Sequence, residues 1–306
     1  MAAPRLRILV SGASGSIGTE LVAQLRAADH DVLRLVRRAP TSPDELNWAP
    51  AARTMDFRIM GEVDAVVNLS GAPVAHLPWT GRYRKVLRAS RLDTTQTLVD
   101  AMNMVRTPPR VLLNASGVGF YGDRPAERLT EDSAKGEGFL ADLVADWEAT
   151  SRLAPAATRV VQVRSANVIA RDGMMAPLAL TTQFGLGARF GTGGQHWPWI
   201  SLHDEAAALV HLLGSRLAGP VNLAGPVPAT SDRITRTLAT RIGRDYRAGR
   251  EYWARIPEWS IRAGLGRAGQ ELLLDSAKVY PTRLEADGFR WRHERVEDAI
   301  DAAFGR

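Results

Sequence analysis

An apolar run at residues 6–10 ends in a glycine-rich turn, after which residues 17–25 place apolar side chains at helical spacing. Further strand-like runs fall at 31–36, 65–69, 111–115 and 160–164, and helical patterning covers 79–105, a stretch long enough to be interrupted, and 139–152. Strands separated by helices predict a parallel sheet built from right-handed crossovers. The polar, turn-rich stretches 40–50 and 124–138 read as connections. Beyond residue 170 the rhythm changes. The sequence FGLGARFGTGGQHWPW at 184–199 is glycine-rich and aromatic and reads as an irregular loop, 221–224 returns to a strand pattern, 230–242 to a helix, and 296–304 to a closing helix. No internal repeat, low-complexity tract or flexible linker separates these parts. The expected organisation is therefore a first domain over 1–224, with a lobe insertion at about 170–200, and a smaller lobe over 225–306.

Composition narrows the class. A chain of 306 residues that is 45% hydrophobic and 24% charged can bury a sizeable core. No apolar run is long enough to cross a bilayer, and the first residues lack the apolar stretch of a signal peptide, so a cytoplasmic protein with no membrane partner is expected. Cysteine is absent, which removes disulfides, thiolate nucleophiles and cysteine-ligated metals. The six histidines, at 30, 76, 196, 203, 211 and 293, have no ligand-like spacing, so no metal is expected. The net charge of +6 is spread along the chain as arginine, with lysine only at 85, 135 and 278. No basic block with interleaved aromatics marks a nucleic-acid partner.

The chemistry begins at GASGSIG, residues 12–18. Gly12, Gly15 and Gly18 stand three apart between a strand and a helix, where a tight turn, the approach of a pyrophosphate and close helix–strand packing each call for glycine. Ser14, Ser16 and Ile17 complete a loop whose backbone N–H groups, at a helix N-terminus, suit phosphate. The fold class this predicts is α/β, a Rossmann-type doubly wound parallel sheet with a smaller C-terminal substrate lobe. An acidic residue usually follows the second strand of an NAD site, but here Arg37 and Arg38 follow it, which points to the 2′-phosphate of NADP(H). A charge-assisted hydrogen bond of that kind contributes about 1.5–3 kcal/mol. Leu69, Ser70 and Gly71 end the third strand-like run at the carboxyl edge, where open α/β sheets bind ligands.

The ordered series GASGSIG, DAVVNLSG, SRLDTTQTL, SGVGFYGD, GFLADLVADWE, RSANVIARDGMM, FGLGARFGTGGQ, PWISLHD, GPVNLAGPVPAT and ELLLDSAKVYPTRLEADGF runs nearly the whole chain. In it the protein resembles the atypical, epimerase-like branch of the extended short-chain dehydrogenase/reductase superfamily, which carries a C-terminal domain of unknown function. The resemblance implies binding of NADP(H), with Arg91 and Asn167 joining the cofactor contacts, and a small-molecule substrate. Extended members often pair through two helices in a four-helix bundle, which leaves a homodimer open.

The superfamily's proton relay is a Tyr and a Lys spaced YxxxK on one helix face, with a nearby Ser or Thr. No YxxxK occurs in this sequence, and the helix expected to carry it begins Phe139-Leu140-Ala141-Asp142-Leu143-Val144. Ser116, at the end of the 111–115 strand, and Tyr121 remain as catalytic candidates, with Ser116 equally a cofactor contact. Asp142 and Glu148 read as a solvated helix face and a packing position beside Trp147, and Asp204 as a residue that positions the lobe. Trp79, Phe184, Phe190, Trp197 and Trp199 are candidates to wall an apolar pocket, and Arg189 to meet a diphosphate. Two readings stay open. One is an NADP(H)-dependent oxidoreductase or epimerase-like enzyme acting on a small carbonyl, alcohol or nucleotide-sugar-like substrate. The other is a non-catalytic NADP(H)-binding or redox-sensing protein.

Overall fold

The computed structural model describes residues 4–184, 187–242 and 254–305. In chain order its strands are β1 (Arg7–Ser11), β2 (Asp31–Val36), β3 (Glu45–Ala49), β4 (Thr54–Met55), β5 (Ala65–Asn68), β6 (Val111–Gly117), β7 (Arg124–Leu129), β8 (Arg159–Ser165), β9 (Asn167–Ile169), β10 (Ala188–Phe190), β11 (Trp199–Ser201), β12 (Gly219–Leu223), β13 (Ala254–Ile256) and β14 (Ala277–Val279). The helices are α1 (Ser16–Ala27), α2 (Gly81–Asn103), α3 (Phe139–Ser151), α4 (Met175–Gln183), α5 (Leu202–Gly214), α6 (Ser231–Ile242), α7 (Glu258–Gly269), α8 (Thr282–Ala286) and α9 (Val296–Phe304). Eight strands form one sheet in the order β12-β8-β6-β5-β1-β2-β3-β4, parallel except for the β3–β4 pair. Strand order reverses between β1 and β5, which opens a crevice at their carboxyl ends.

Strands covered on both faces carry continuous apolar runs, and the middle of β1, residues 8–10, is one. Its alternate side chains divide the core. Ile8 and Val10 pack with Leu21 and Leu25 of α1 and Leu209 and Leu212 of α5, whereas Leu9 packs with Leu98 and Met102 of α2. The long helix is not interrupted: Thr80 caps α2 by accepting the Tyr83 N–H, and helical hydrogen bonding runs on to Asn103.

Two stretches expected to be connections contain strands. Residues 45–49 form β3 because Leu46 and Trp48 pack onto the sheet beside β2. Residues 124–129 form β7 because β14, about 150 residues later, supplies its hydrogen-bonding partner. No local pattern could announce that pairing. The aromatic loop likewise contributes β10 and the start of β11, each paired with a strand distant in sequence. No described helix is long and apolar enough to cross a membrane.

Candidate functional site

The turn after β1 is shaped by three glycines with different duties. Gly12 has φ +72°, and a Cβ there would lie 2.8 Å from the Leu69 carbonyl carbon, so the end of β5 lies directly against the turn. At Gly18 a Cβ would lie 2.3 Å from the Gly12 oxygen, so only glycine lets α1 dock this closely on the turn. Gly15 differs. A Cβ there would meet nothing nearer than the Gly12 oxygen at 3.5 Å, and Gly15 and Ser14 are exposed. Gly15 is also the N-cap of α1, with no side-chain cap and no acidic residue in the first turn. The surface above it is thus an uncapped helix N-terminus. Ile17 is half-buried against the core, and the Ser16 hydroxyl donates to the Asp172 carboxylate.

Beneath the strand tips lies a polar network that the sequence reading did not foresee. Ser11 donates to the Asn68 carbonyl oxygen at 2.6 Å, the Ser70 hydroxyl donates to Ser11 at 3.0 Å, and the Asn68 amide donates to Thr95 and Asn114. Asn68 and Asn114 are fully buried; Asn68 ends β5 and pairs with Asn114 in the middle of the adjacent β6. An asparagine following each of two apolar runs, 65–67 and 111–113, was the available signal. Gly71 follows, and a Cβ there would press on the Arg91 guanidinium at 3.2 Å. Arg91 donates to the Ala72 and Leu87 carbonyls and lies 5.2 Å from the Trp147 ring. Burial lowers it to about 10.

The two arginines after β2 part ways. Arg38 makes a bidentate pair with the buried Glu45, both contacts at 2.7 Å, and Glu45 is held down at about 2 chiefly by those bonds. Arg37 is exposed and makes no ion pair among the described residues.

At the carboxyl ends of β6 and β8 a cavity of about 230 Å³ opens between the sheet and the C-terminal lobe. Arg91, Ser116, Gly117, Ser165 and Asn167 line its sheet side; His196, Trp197, Glu271, Leu272 and Asp275 line its lobe side; Leu140, Leu143, Val144 and Trp147 of α3 close it. Ser116 donates to Glu148 Oε1 at 2.7 Å, and the same carboxylate takes Arg164 Nε at 2.7 Å and Nη2 at 3.0 Å. Glu148 and Arg164 are buried, so Glu148 is neither solvated nor merely apolar packing: it fixes the Ser116 rotamer. Burial alone would lower Arg164, but Glu148 and Tyr121 together outweigh it and raise the guanidinium.

Tyr121 requires a correction. It is fully buried and does not line the cavity; its hydroxyl donates to Asn222 at 2.7 Å and accepts from Arg164 at 3.0 Å. Burial raises its phenol above the ordinary value. The tyrosine therefore braces the core, because the 3-10 turn after β6 directs it inward.

Of the aromatic candidates, Trp197 lines the cavity, Trp79 and Trp199 are core residues, Phe190 packs on Trp197, and Phe184 is exposed. Arg189 packs against Gly193 outside the cavity lining. Asp204 accepts the Arg292 and His293 N–H groups and so ties the C-terminal segment to α5. Asp142 is exposed beside Lys135. On the lobe side, Glu271 accepts the Phe139 and Leu140 N–H groups at 2.9 and 2.8 Å, capping α3 from about 130 residues away. Burial, reinforced by the Asp123 and Glu271 carboxylates, pushes Asp275 up to about 6. Burial also lowers His196.

Residues 8–224 match the NAD dependent epimerase/dehydratase family, and residues 256–303 match a domain of unknown function, DUF1731. An epimerase family protein of Mycobacterium bovis is 39% identical over 98% of both chains, and the human epimerase family protein SDR39U1 is 35% identical over 96% of this chain and 98% of its own. The crystal structure of human SDR39U1 (isoform 2) with NADPH superposes with a TM-score of 0.85 at 30% identity, covering 97% of this chain and 99% of that one. A Thermus thermophilus UDP-glucose 4-epimerase in complex with NAD shares the fold, with a TM-score of 0.76 at 20% identity over 98% of each chain.

Proposed function

The chain belongs to the NAD dependent epimerase/dehydratase family, and on that premise we propose that it is an NADP(H)-dependent oxidoreductase acting on a small carbonyl or alcohol. The observation that carries this reading is the open surface over Gly15 at the uncapped N-terminus of α1, on the same carboxyl side of the sheet as a cavity at the tips of β6 and β8. The human relative crystallised with NADPH supports the choice of cofactor.

The residues present fit such a cofactor. Gly12, Ser14, Gly15, Ser16, Ile17 and Gly18 would hold the pyrophosphate; Arg37 and Arg38 the 2′-phosphate; Leu69, Ser70, Gly71 and Arg91 the span over the strand tips; Ser116 and Asn167 the nicotinamide end. When bound, the cofactor supplies or takes the hydride, and the protein supplies orientation and exclusion of water. Ser116, with its proton directed at Glu148, presents oxygen lone pairs to the cavity and accepts hydrogen bonds there. The apolar lining from α3 and Trp197 suits a small apolar body.

Cofactor preference tests the first half of the reading. NADPH is expected to bind at least about tenfold more tightly than NADH, roughly 1.4 kcal/mol, by calorimetry. Arg37→Ala should remove much of that preference without a change in stability, because the guanidinium has no ion-pair partner to lose among the described residues. Arg38→Ala should also destabilise the protein, since it leaves the buried Glu45 without its bidentate partner. Equal affinities for NADPH and NADH would sink the assignment.

Turnover tests the second half. NADPH oxidation across a panel of carbonyls should be slow, since no phenol–lysine pair lies at the cavity and general acid–base help contributes about 10²–10⁴ in rate. Tight NADPH binding with no oxidation on any carbonyl would favour the alternative, a binding or redox-sensing protein. That alternative draws on the burial of Tyr121 and the absence of a phenol or ammonium on the cavity face of α3.

A further inference from the structure

Glu205, in the first turn of α5, is fully buried. Its Oε1 lies 2.5 Å from the hydroxyl of Ser165, and its Oε2 is buried without a hydrogen-bond partner among the described residues. Ser165 ends β8 and lines the cavity. A carboxylate anion in that setting would leave a charge with one hydrogen bond and no counter-ion. A neutral carboxyl satisfies the geometry better: the proton sits on Oε1 and is donated to Ser165 Oγ, Oε2 is left as a carbonyl oxygen, and the serine O–H is free to donate into the cavity.

We propose that Glu205 and Ser165 form a proton relay opening onto the cavity, through which a substrate oxygen receives its proton in place of the missing phenol–lysine pair. The proposal rests on the oxidoreductase reading. In the reductive direction the substrate carbonyl carbon gains a hydride from NADPH. Its oxygen takes the Ser165 hydroxyl proton, and Ser165 takes the Glu205 proton. Alcohol, NADP⁺ and a Glu205 carboxylate result, and that carboxylate recovers a proton from water through Ser165 when product leaves. Oxidation runs the same transfers backwards.

The surroundings support a carboxyl that stays protonated. Burial pushes Glu205 up to about 8, opposed only by the Ser165 hydrogen bond. Charged groups on the neighbouring elements are engaged elsewhere. Glu20 of α1 lies 3.4 Å from His203, and Asp204 is held by Ser201, Arg292 and His293. His211 pairs with Asp287, and Arg164 of β8 is committed to Glu148 on α3.

Because the folded-state value lies above the ordinary 4.5, the stability that protonated Glu205 contributes is complete below about pH 4.5. It declines as pH rises and is gone above about 8. The stability difference between wild type and Glu205→Gln, which cannot ionise, should follow that course.

The deciding experiment uses infrared difference spectroscopy on the full-length protein with and without NADPH, together with benzaldehyde as the carbonyl probe. A protonated carboxylic acid band is expected in wild type, absent in Glu205→Gln, that shifts when NADPH and benzaldehyde are added. In Ser165→Ala the band should persist but no longer respond, and Ser165→Thr should restore the response. NADPH affinity should stay within about threefold throughout. Where benzaldehyde or another carbonyl is turned over, Glu205→Gln and Ser165→Ala should each slow it at least tenfold and remove the limb that falls above about pH 8. The relay is overturned if NADPH binds but the band is missing or indifferent to NADPH and probe, or if either variant keeps the wild-type rate and pH profile. Failure of NADPH to bind overturns the functional reading itself and is read separately, by calorimetry.

Discussion

Gly15→Val is expected to eliminate NADPH binding while leaving the protein folded. The N-cap backbone at Gly15 has φ −76° and ψ 168°, which valine adopts without strain, and the new Cβ would have only the Gly12 oxygen at 3.5 Å for company. The added methyls would stand in the open space over the helix N-terminus, where a pyrophosphate must come within hydrogen-bonding reach of the backbone. A loss of at least about 100-fold in affinity follows, roughly 2.7 kcal/mol or more. Calorimetry should register no binding, and the melting temperature should no longer rise with added NADPH, while the far-UV circular dichroism matches wild type. Gly18→Val is the contrast. Its Cβ would lie 2.3 Å from the Gly12 oxygen and 2.7 Å from Ala13 Cα, so that variant should lose stability outright. A Gly15→Val protein that keeps its response to NADPH would move the pyrophosphate away from this turn.

Glu148→Ala is expected to be among the most destabilising single changes in the chain, at about 3–5 kcal/mol by denaturant unfolding. The substitution strips a buried guanidinium of a bidentate partner, since Arg164 donates to both oxygens of Glu148 and among the described residues keeps Tyr121 and the face of Phe120. It also leaves the Ser116 hydroxyl without an acceptor. Much of that cost belongs to the uncompensated charge rather than to the pair. The double variant Glu148→Leu with Arg164→Met should therefore be markedly more stable than Glu148→Ala alone. If Glu148→Ala cost under about 1 kcal/mol, water or another group would have to reach Arg164, and the buried pair would lose its place as the support of Ser116.

Several features were legible from residues alone, and each rests on local physics. The glycine spacing of GASGSIG was readable because turn geometry, backbone approach and helix docking are imposed within seven residues. The bounds of β2 and α9 were readable because burial sets their apolar periodicity directly. The missing YxxxK was readable because that relay requires two side chains one helical turn apart, and α3 has neither.

What only the tertiary structure decided are the relations between distant residues. Tyr121 sits in a loop that resembles a catalytic neighbourhood, yet Asn222 from an edge strand about 100 residues later and Arg164 from β8 hold its hydroxyl in the core. The strand at 124–129 exists because β14 returns to pair with it, and α3 has no cap in its own sequence because Glu271 provides one. Glu205 reads as one more acidic residue opening a helix, which would ordinarily mark an exposed first turn favoured by the helix dipole. Only the packing of α5 against the face of the sheet removes its water, and removal of water is what turns an ordinary carboxylate into a group that keeps its proton.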